Sequence, residues 1–334
     1  MFLKLPEEYN GTEKEYKAKL SIDTPSYWKD IEKEKTYTDN MFQQMLEELN
    51  DMETEMLINN KETKVKLKIE KKAEFNIFLF IRMNINRIEY KYEVEKEFEE
   101  EDKDIIELIH IEKIMDDFYQ QIQNFKIAVN ISYPGLLEIR ETETYINNKH
   151  YKYSNKPLSS LLISVTEANR DEWPKINIIN ISKSWNWLKH RKGFIKGMAT
   201  NSIERALSAL TYIYDCYSYE DLFYSIIVIE AIYVRSKQGI LEQIKEKSKA
   251  IFGEPKDYMK RLKYMYNVRS RFMHGELNFP PRYCPYNDTQ EFIQFEDKEY
   301  LNALNMAQAL LIASIQQFVL INTEEIEFEL KVKK

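Results

Sequence analysis

Hydrophobic positions along the chain change period twice, and those changes divide it. Residues 1 to about 50 are charged and broken by Pro6, Gly11 and Pro25, followed by a short helical pattern in which Met41, Met45, Leu46 and Leu49 recur. From Thr54 to Phe98 the period drops to two. Val65, Leu67 and Ile69 alternate with lysines, Ile77 and Leu79 follow Phe75 at every second position, and Ile88, Tyr90 and Tyr92 alternate with charges, which predicts a mainly antiparallel sheet. The acidic run Glu95 to Asp104 reads as a solvated link into a helix over 105–123, with Leu108, Ile111, Met115, Phe118 and Ile122 on one side. Strands are expected again at 125–130, 136–145, 161–166 and 176–181, with turns at Pro134-Gly135 and Asn147-Asn148.

Beyond Ser182 every long segment has helical period. A capped short helix over 182–190 carries Trp185 and Trp187, read as interdomain packing. Helices are then expected over 201–217, 219–235, 240–251, 254–275 and 297–321, with an irregular stretch between Glu276 and Glu296. The expected organisation is an α+β domain over 1–190 with a mainly antiparallel sheet, followed by an all-α helical bundle over 191–334.

Composition narrows the classes. The 334-residue chain has only 7 glycines, so loops rich in glycine cannot organise it. A net charge of −7 gives no global basic footprint for long nucleic acid, so any such site must be local. Two cysteines, Cys216 and Cys284, are too few for a disulfide framework or a zinc site and fit a reducing cytoplasm. The opening residues lack the apolar core of a signal peptide. The apolar helices at 222–234 and 303–321 are too short or too interrupted by Asn305, Gln308, Ser314, Gln316 and Gln317 to span a bilayer, and read as core. His110, His150 and His190 have no metal-ligand spacing around them, so neither a metal nor a cofactor is assigned.

The chemistry concentrates in Glu254 to Gly275. Tyr258, Leu262, Met265, Tyr266, Val268, Phe272 and Met273 form a broad apolar arc, expected to face the core or a second subunit, and Arg269 points into its middle. A guanidinium there requires an anion. The one charge in the apolar helix 222–234 is Glu230, which we infer to face Arg269 from the interior. Five residues after Arg269 comes His274, and Gly275 stops the helix. His274 also has a plain reading, as a helix-end residue interacting with the dipole. Arg269 and His274 lie about 140° apart on an ideal helix, so one copy does not aim both at one atom unless the last turn unwinds; two copies across a twofold axis would.

The stretch Leu262-x3-Tyr266-x2-Arg269-Ser270-x3-His274-Gly275 resembles the Arg-x4-His motif of HEPN-domain ribonucleases, in particular the Apea-like branch often met in bacterial antiviral systems. The resemblance covers roughly residues 200–321 and extends to an acidic residue in the helix of Glu230. It implies a metal-independent endoribonuclease, a composite site in a homodimer, Arg269, His274, Ser270 and Glu230 as catalytic residues, and an N-terminal half that senses a phage-derived trigger or inhibitor. Arg271, Arg282 and Tyr283 are candidates for RNA contact, although ordinary loop packing is the favoured reading of Arg282, Tyr283 and Tyr286. The RNA substrate expected is cellular, with compact transfer RNA favoured by the acidic balance. The alternative is a catalytically silent HEPN bundle serving dimerisation or partner binding.

Overall fold

The computed structural model describes residues 13–23, 32–58, 61–73, 76–86, 103–146, 149–154, 159–215, 220–254, 258–277, 300–326 and 328. Its elements are β1 (Glu13–Asp23), α1 (Glu32–Leu49), β2 (Glu53–Ile58), β3 (Lys61–Ala73), β4 (Asn76–Asn86), α2 (Lys103–Ser132), β5 (Glu138–Ile146) and β6 (Lys149–Ser154). Helices follow: α3 (Ser159–Arg170), α4 (Ile181–Lys189), α5 (Lys192–Lys196), α6 (Ser202–Asp215), α7 (Glu220–Tyr233), α8 (Ile240–Phe252), α9 (Tyr258–Met273) and α10 (Leu301–Ile321). An N-terminal sheet thus precedes a mostly helical region, as the change of period implies.

The chain forms two compact units, and they interleave. The first comprises 1–23, 46–125 and 139–154; the second comprises 24–45, 126–138 and 155–334. The boundary expected near residue 190 therefore falls inside the second unit. The first unit holds a six-stranded sheet in the order β2-β3-β4-β1-β5-β6, antiparallel at β2/β3, β3/β4, β4/β1 and β5/β6. Period-two sequence becomes one buried face: Leu67 pairs with Ile81 and Ile81 with Ala18, beside Ile69 with Leu79 and Leu79 with Leu20. Of these only Ile69 is not fully buried. The other face is held by polar contacts, such as Lys19 Nζ at 3.3 Å from Glu143 and 4.6 Å from the Phe78 ring centre. The strand pattern expected at residues 88–92 lies outside the described residues.

Three expected strands are not strands. Residues 125–130 continue α2 and residues 161–166 lie in α3, while 175–180 have no regular structure before α4 begins. In α2 every residue from Asn124 to Ser132 is buried, Lys126 and Asn130 included, so the helix has no polar side to mark a 3.6-residue period. Phe125, Ile127 and Val129 then mimic alternation.

α10 is the core of the second unit, packing on α3, α7, α9 and α4. It is long and apolar enough to cross a membrane, yet 78% of its most apolar window is buried in the protein. Its polar residues explain why. Gln316, fully buried, donates to the carbonyls of Ile131 and Asn177 at 2.7 Å each and accepts from the Asn177 amide at 2.8 Å. Ser314 bonds the Tyr233 hydroxyl at 2.6 Å, and Gln308 accepts from Ser164 at 2.8 Å. The Pro134-Gly135 turn is as expected. Gly135 has φ +75°, and a Cβ there would lie 2.5 Å from the Leu162 backbone nitrogen, so only glycine fits. α4 is capped by Asn180, whose side chain accepts from the Lys183 amide, so the cap lies two residues upstream of Ser182. Trp185 and Trp187 are buried, and the Trp187 indole donates to Thr323 O at 3.1 Å within the same unit.

Candidate active site

α7 is apolar on nearly every side. Leu222, Ile226, Val228, Ile229, Ile232 and Tyr233 are all buried, and Glu230 occupies the side left over, facing α9. On α9 the centre of the apolar arc is sealed: Leu262 and Met265 are fully buried and Val268 is 2% exposed, against α10, α8 and α7 of the same chain. Tyr266 and Phe272 are half-buried, and Met273 is 48% exposed. The centre of the arc is therefore covered within the chain, as the core-facing alternative expected.

Arg269 falls in the middle of this arc, as expected, but its side chain is only partly buried. Its Nη2 is 3.4 Å from Glu230 Oε1, and the two side chains keep 25% and 22% of their surface. The expected pairing is present, but it is half-buried where a sealed interior was expected. The Arg269 Cζ lies 5.5 Å from the Tyr266 ring centre. Tyr266 belongs to the same cluster. Burial first, then the Glu230 carboxylate and a hydrogen bond to it, push its phenol above the ordinary range, while Arg269 pulls the other way. Sequence reading placed Tyr266 in the core; its spacing three residues before Arg269 is the signal that could have placed it here. Glu230 Oε1 is shut off from solvent and has no hydrogen bond among the described residues, so its link to Arg269 is electrostatic.

Behind the guanidinium, Leu222, Phe223, Val268, Arg269, Phe272, Leu277 and Tyr300 enclose about 10 Å³, room for at most one water.

His274 follows the helix and is exposed. Its amide donates to Ser270 O at 3.0 Å, so α-helical bonding persists to this residue. The Gly275 amide then donates to Phe272 O and the Glu276 amide to Arg271 O, at 3.2 and 2.8 Å, with Gly275 at φ +69°. This is the Schellman arrangement, the stop expected at Gly275. Its consequence is chemical. With the last turn wound to the end, the angular offset of about 140° between Arg269 and His274 persists within one chain. The imidazole has no hydrogen-bond partner among the described residues and is open to solvent. Ser270 and Arg271 are half-buried on the same turn. Arg282 and Tyr283 lie outside the described residues, as does the rest of the stretch 278–299.

Elsewhere, His190 Nδ1 lies 2.5 Å from Asn186 O, while His110 falls in α2 and His150 in β6. No group of histidine, cysteine and carboxylate side chains with metal-binding geometry occurs among the described residues. No family model, curated protein or solved structure matches this chain.

Proposed function

We propose that the chain is a metal-independent endoribonuclease of the HEPN type, acting on cellular RNA in bacterial antiphage defence. The observation that carries this reading is the cluster at the α7–α9 edge. Glu230 and Tyr266 flank the Arg269 guanidinium, a quarter of the Arg269 side chain stays in water, and the exposed His274 follows five residues later. Such a guanidinium is pre-oriented for a phosphate oxygen. His274 would take the proton of a ribose 2′-hydroxyl as that oxygen attacks the adjacent phosphorus. Arg269, with Ser270, would stabilise the charge that builds on the phosphate oxygens. The 5′-oxygen then leaves with a proton returned by the imidazolium or water, and a 2′,3′-cyclic phosphate remains. Since one chain does not aim both groups at one atom, the working unit is a homodimer that pools two arginines and two histidines.

His274 as the last residue of a Schellman end also favours a second reading, a catalytically silent helical module for dimerisation or partner binding. Incubation of RNA with purified protein in EDTA separates the two. The nuclease gives fragments with 2′,3′-cyclic phosphate and 5′-hydroxyl ends and leaves DNA intact, and Arg269→Ala or His274→Ala each slows it on the order of 10²-fold or more. Wild-type rates from His274→Ala, or 3′-hydroxyl products that need magnesium, would remove this helix from the chemistry.

A further inference from the structure

The outward face of the six-stranded sheet carries an arrangement that neither the core nor the Arg269 cluster uses. Side chains alternate between the two faces of a strand, so residues paired across neighbouring strands point the same way. Across β3, β4 and β1 the register sets three outward rows. Lys66, Arg82 and Lys17 stand side by side, then Lys68, Phe80 and Lys19, then Glu70, Phe78 and Ser21. The first two rows hold five cations, one aromatic ring and no carboxylate, in a chain whose net charge is −7. Like charges opposite one another on neighbouring strands are destabilising, so this placement calls for an anion on the sheet.

The carboxylates that reach these rows come from their borders. Glu53 lies 3.3 Å from Lys66 and Glu70 lies 3.7 Å from Lys68, and all four side chains keep more than a third of their surface in water. Pairs this exposed contribute little, so phosphate oxygens can replace either carboxylate. Arg82, at the centre of the first row, is exposed and pairs with no carboxylate among the described residues. Its planar fork of N–H donors suits a phosphate. Phe80 stands two residues before Arg82 on the same strand, about 7 Å away, and is half-buried on a polar face. The lysines on either side of it send their ammonium groups elsewhere: Lys19 Nζ lies 4.6 Å from the Phe78 ring centre, and Lys68 Nζ reaches Glu70. Among the described residues no cation covers the Phe80 ring, whose one ring neighbour is Phe78, tilted by 50° with centres 6.5 Å apart. A partly open ring set among cations fits a nucleic-acid strand, whose base stacks on the ring while its phosphates meet the cations. An acidic peptide would satisfy the cations and leave the ring unused.

We propose that the outward face of β3, β4 and β1 binds single-stranded RNA, its phosphates along Lys66, Arg82, Lys17 and Lys68 and one base on Phe80. That the strand is RNA rests on the proposed nuclease activity, whereas the face itself recognises phosphate and a stacked base, and its binding is measured without cleavage.

Fluorescence anisotropy of the intact chain with a short, uncleavable 2′-O-methyl RNA strand tests it. Arg82→Gln is expected to weaken binding about tenfold and to lower the slope of log affinity against log salt by about 1. Phe80→Leu keeps an apolar side chain on the sheet but removes the stacking surface, so it should weaken binding roughly fivefold or more and leave the salt slope unchanged. Binding unmoved by both substitutions overturns the proposal. So does displacement of the strand by polyglutamate at equal charge, or a loss at Arg82 with none at Phe80, either of which would assign the face to an acidic protein segment. A chain that binds the strand through Arg82 and Phe80 yet cleaves no RNA in EDTA would remove the nuclease reading and leave this one standing.

Discussion

A carboxylate and a guanidinium that each keep about a quarter of their side-chain surface in water do not behave as a sealed ion pair. Had Glu230 and Arg269 met in the interior, removing the carboxylate would leave a buried cation and cost about 3–5 kcal/mol. At the observed exposure, water can take over part of the solvation of Arg269. Glu230→Ala is therefore expected to cost about 1–2 kcal/mol, between the exposed and buried limits, while slowing cleavage much more than it lowers stability. Urea denaturation measures the first and RNA cleavage the second; a loss above 3 kcal/mol would mean that the pair is desolvated in solution.

The strongest carboxylate anchor among the described residues is another one, which the sequence reading did not single out. Glu204 is 4% exposed and accepts from the Gly193 amide at 2.8 Å, the Thr200 amide at 2.8 Å and the Thr200 hydroxyl at 2.7 Å. Burial raises its pKa, but these donors outweigh burial and hold it below the ordinary 4.5. A carboxylate depressed by folding adds stability that is present above its unfolded value and lost as pH falls through the folded one. Glu204→Gln turns an NH₂ toward N–H donors and should cost about 1–3 kcal/mol at pH 7. The gap between mutant and wild type should narrow on acidification below about 4.5. A gap that is constant between pH 3 and 7 would show that ionised Glu204 is not the source.

At the scale of elements, α10 shows why polar residues in an apolar helix count as much as the apolar ones. Gln316 ties α10 to the end of α2 and to the segment before α4 through three hydrogen bonds, all to backbone. Gln316→Leu keeps the volume but strands the Ile131 carbonyl and both polar groups of Asn177. The expected cost is about 3 kcal/mol or more, read as a fall in Tm; an unchanged melting curve would mean that these backbone groups find other partners. The same burial that makes α10 central also obscured the second half of α2 and α3 in the sequence. Asn130, fully buried, donates to Lys126 O and Leu137 O at 3.1 Å each, and its side-chain oxygen accepts the Gly135 amide. Asparagine in a strand-like run was the clue to a helix end, not to a sheet.

For the whole molecule, the decisive question is copy number. The centre of the apolar arc of α9 is covered by α7, α8 and α10, so the arc alone does not call for a second copy. What still calls for a second copy is the winding of α9, which stays helical to His274. Light scattering at micromolar concentration should give a homodimer, and dilution that dissociates it should abolish cleavage. A monomer that cleaves RNA at full rate would remove the composite site.

The sequence by itself determined the elements whose faces differ. Alternating strands such as 65–69 and 77–83, the helices from α6 to α10 and the Gly275 stop all carry a pattern that water imposes on one side and the core on the other. It also named Glu230 and Arg269 as partners, because a charge within an apolar segment must be met. Only the tertiary structure decided what depends on neighbours distant along the chain. It turned residues 125–130 and 161–166 into helix, because a segment buried on all sides has no polar face to report its period. It interleaved the two units along the sequence, left the Glu230–Arg269 pair partly exposed, and gathered Lys260, Asn302 and Trp173 into one cleft from three separate segments.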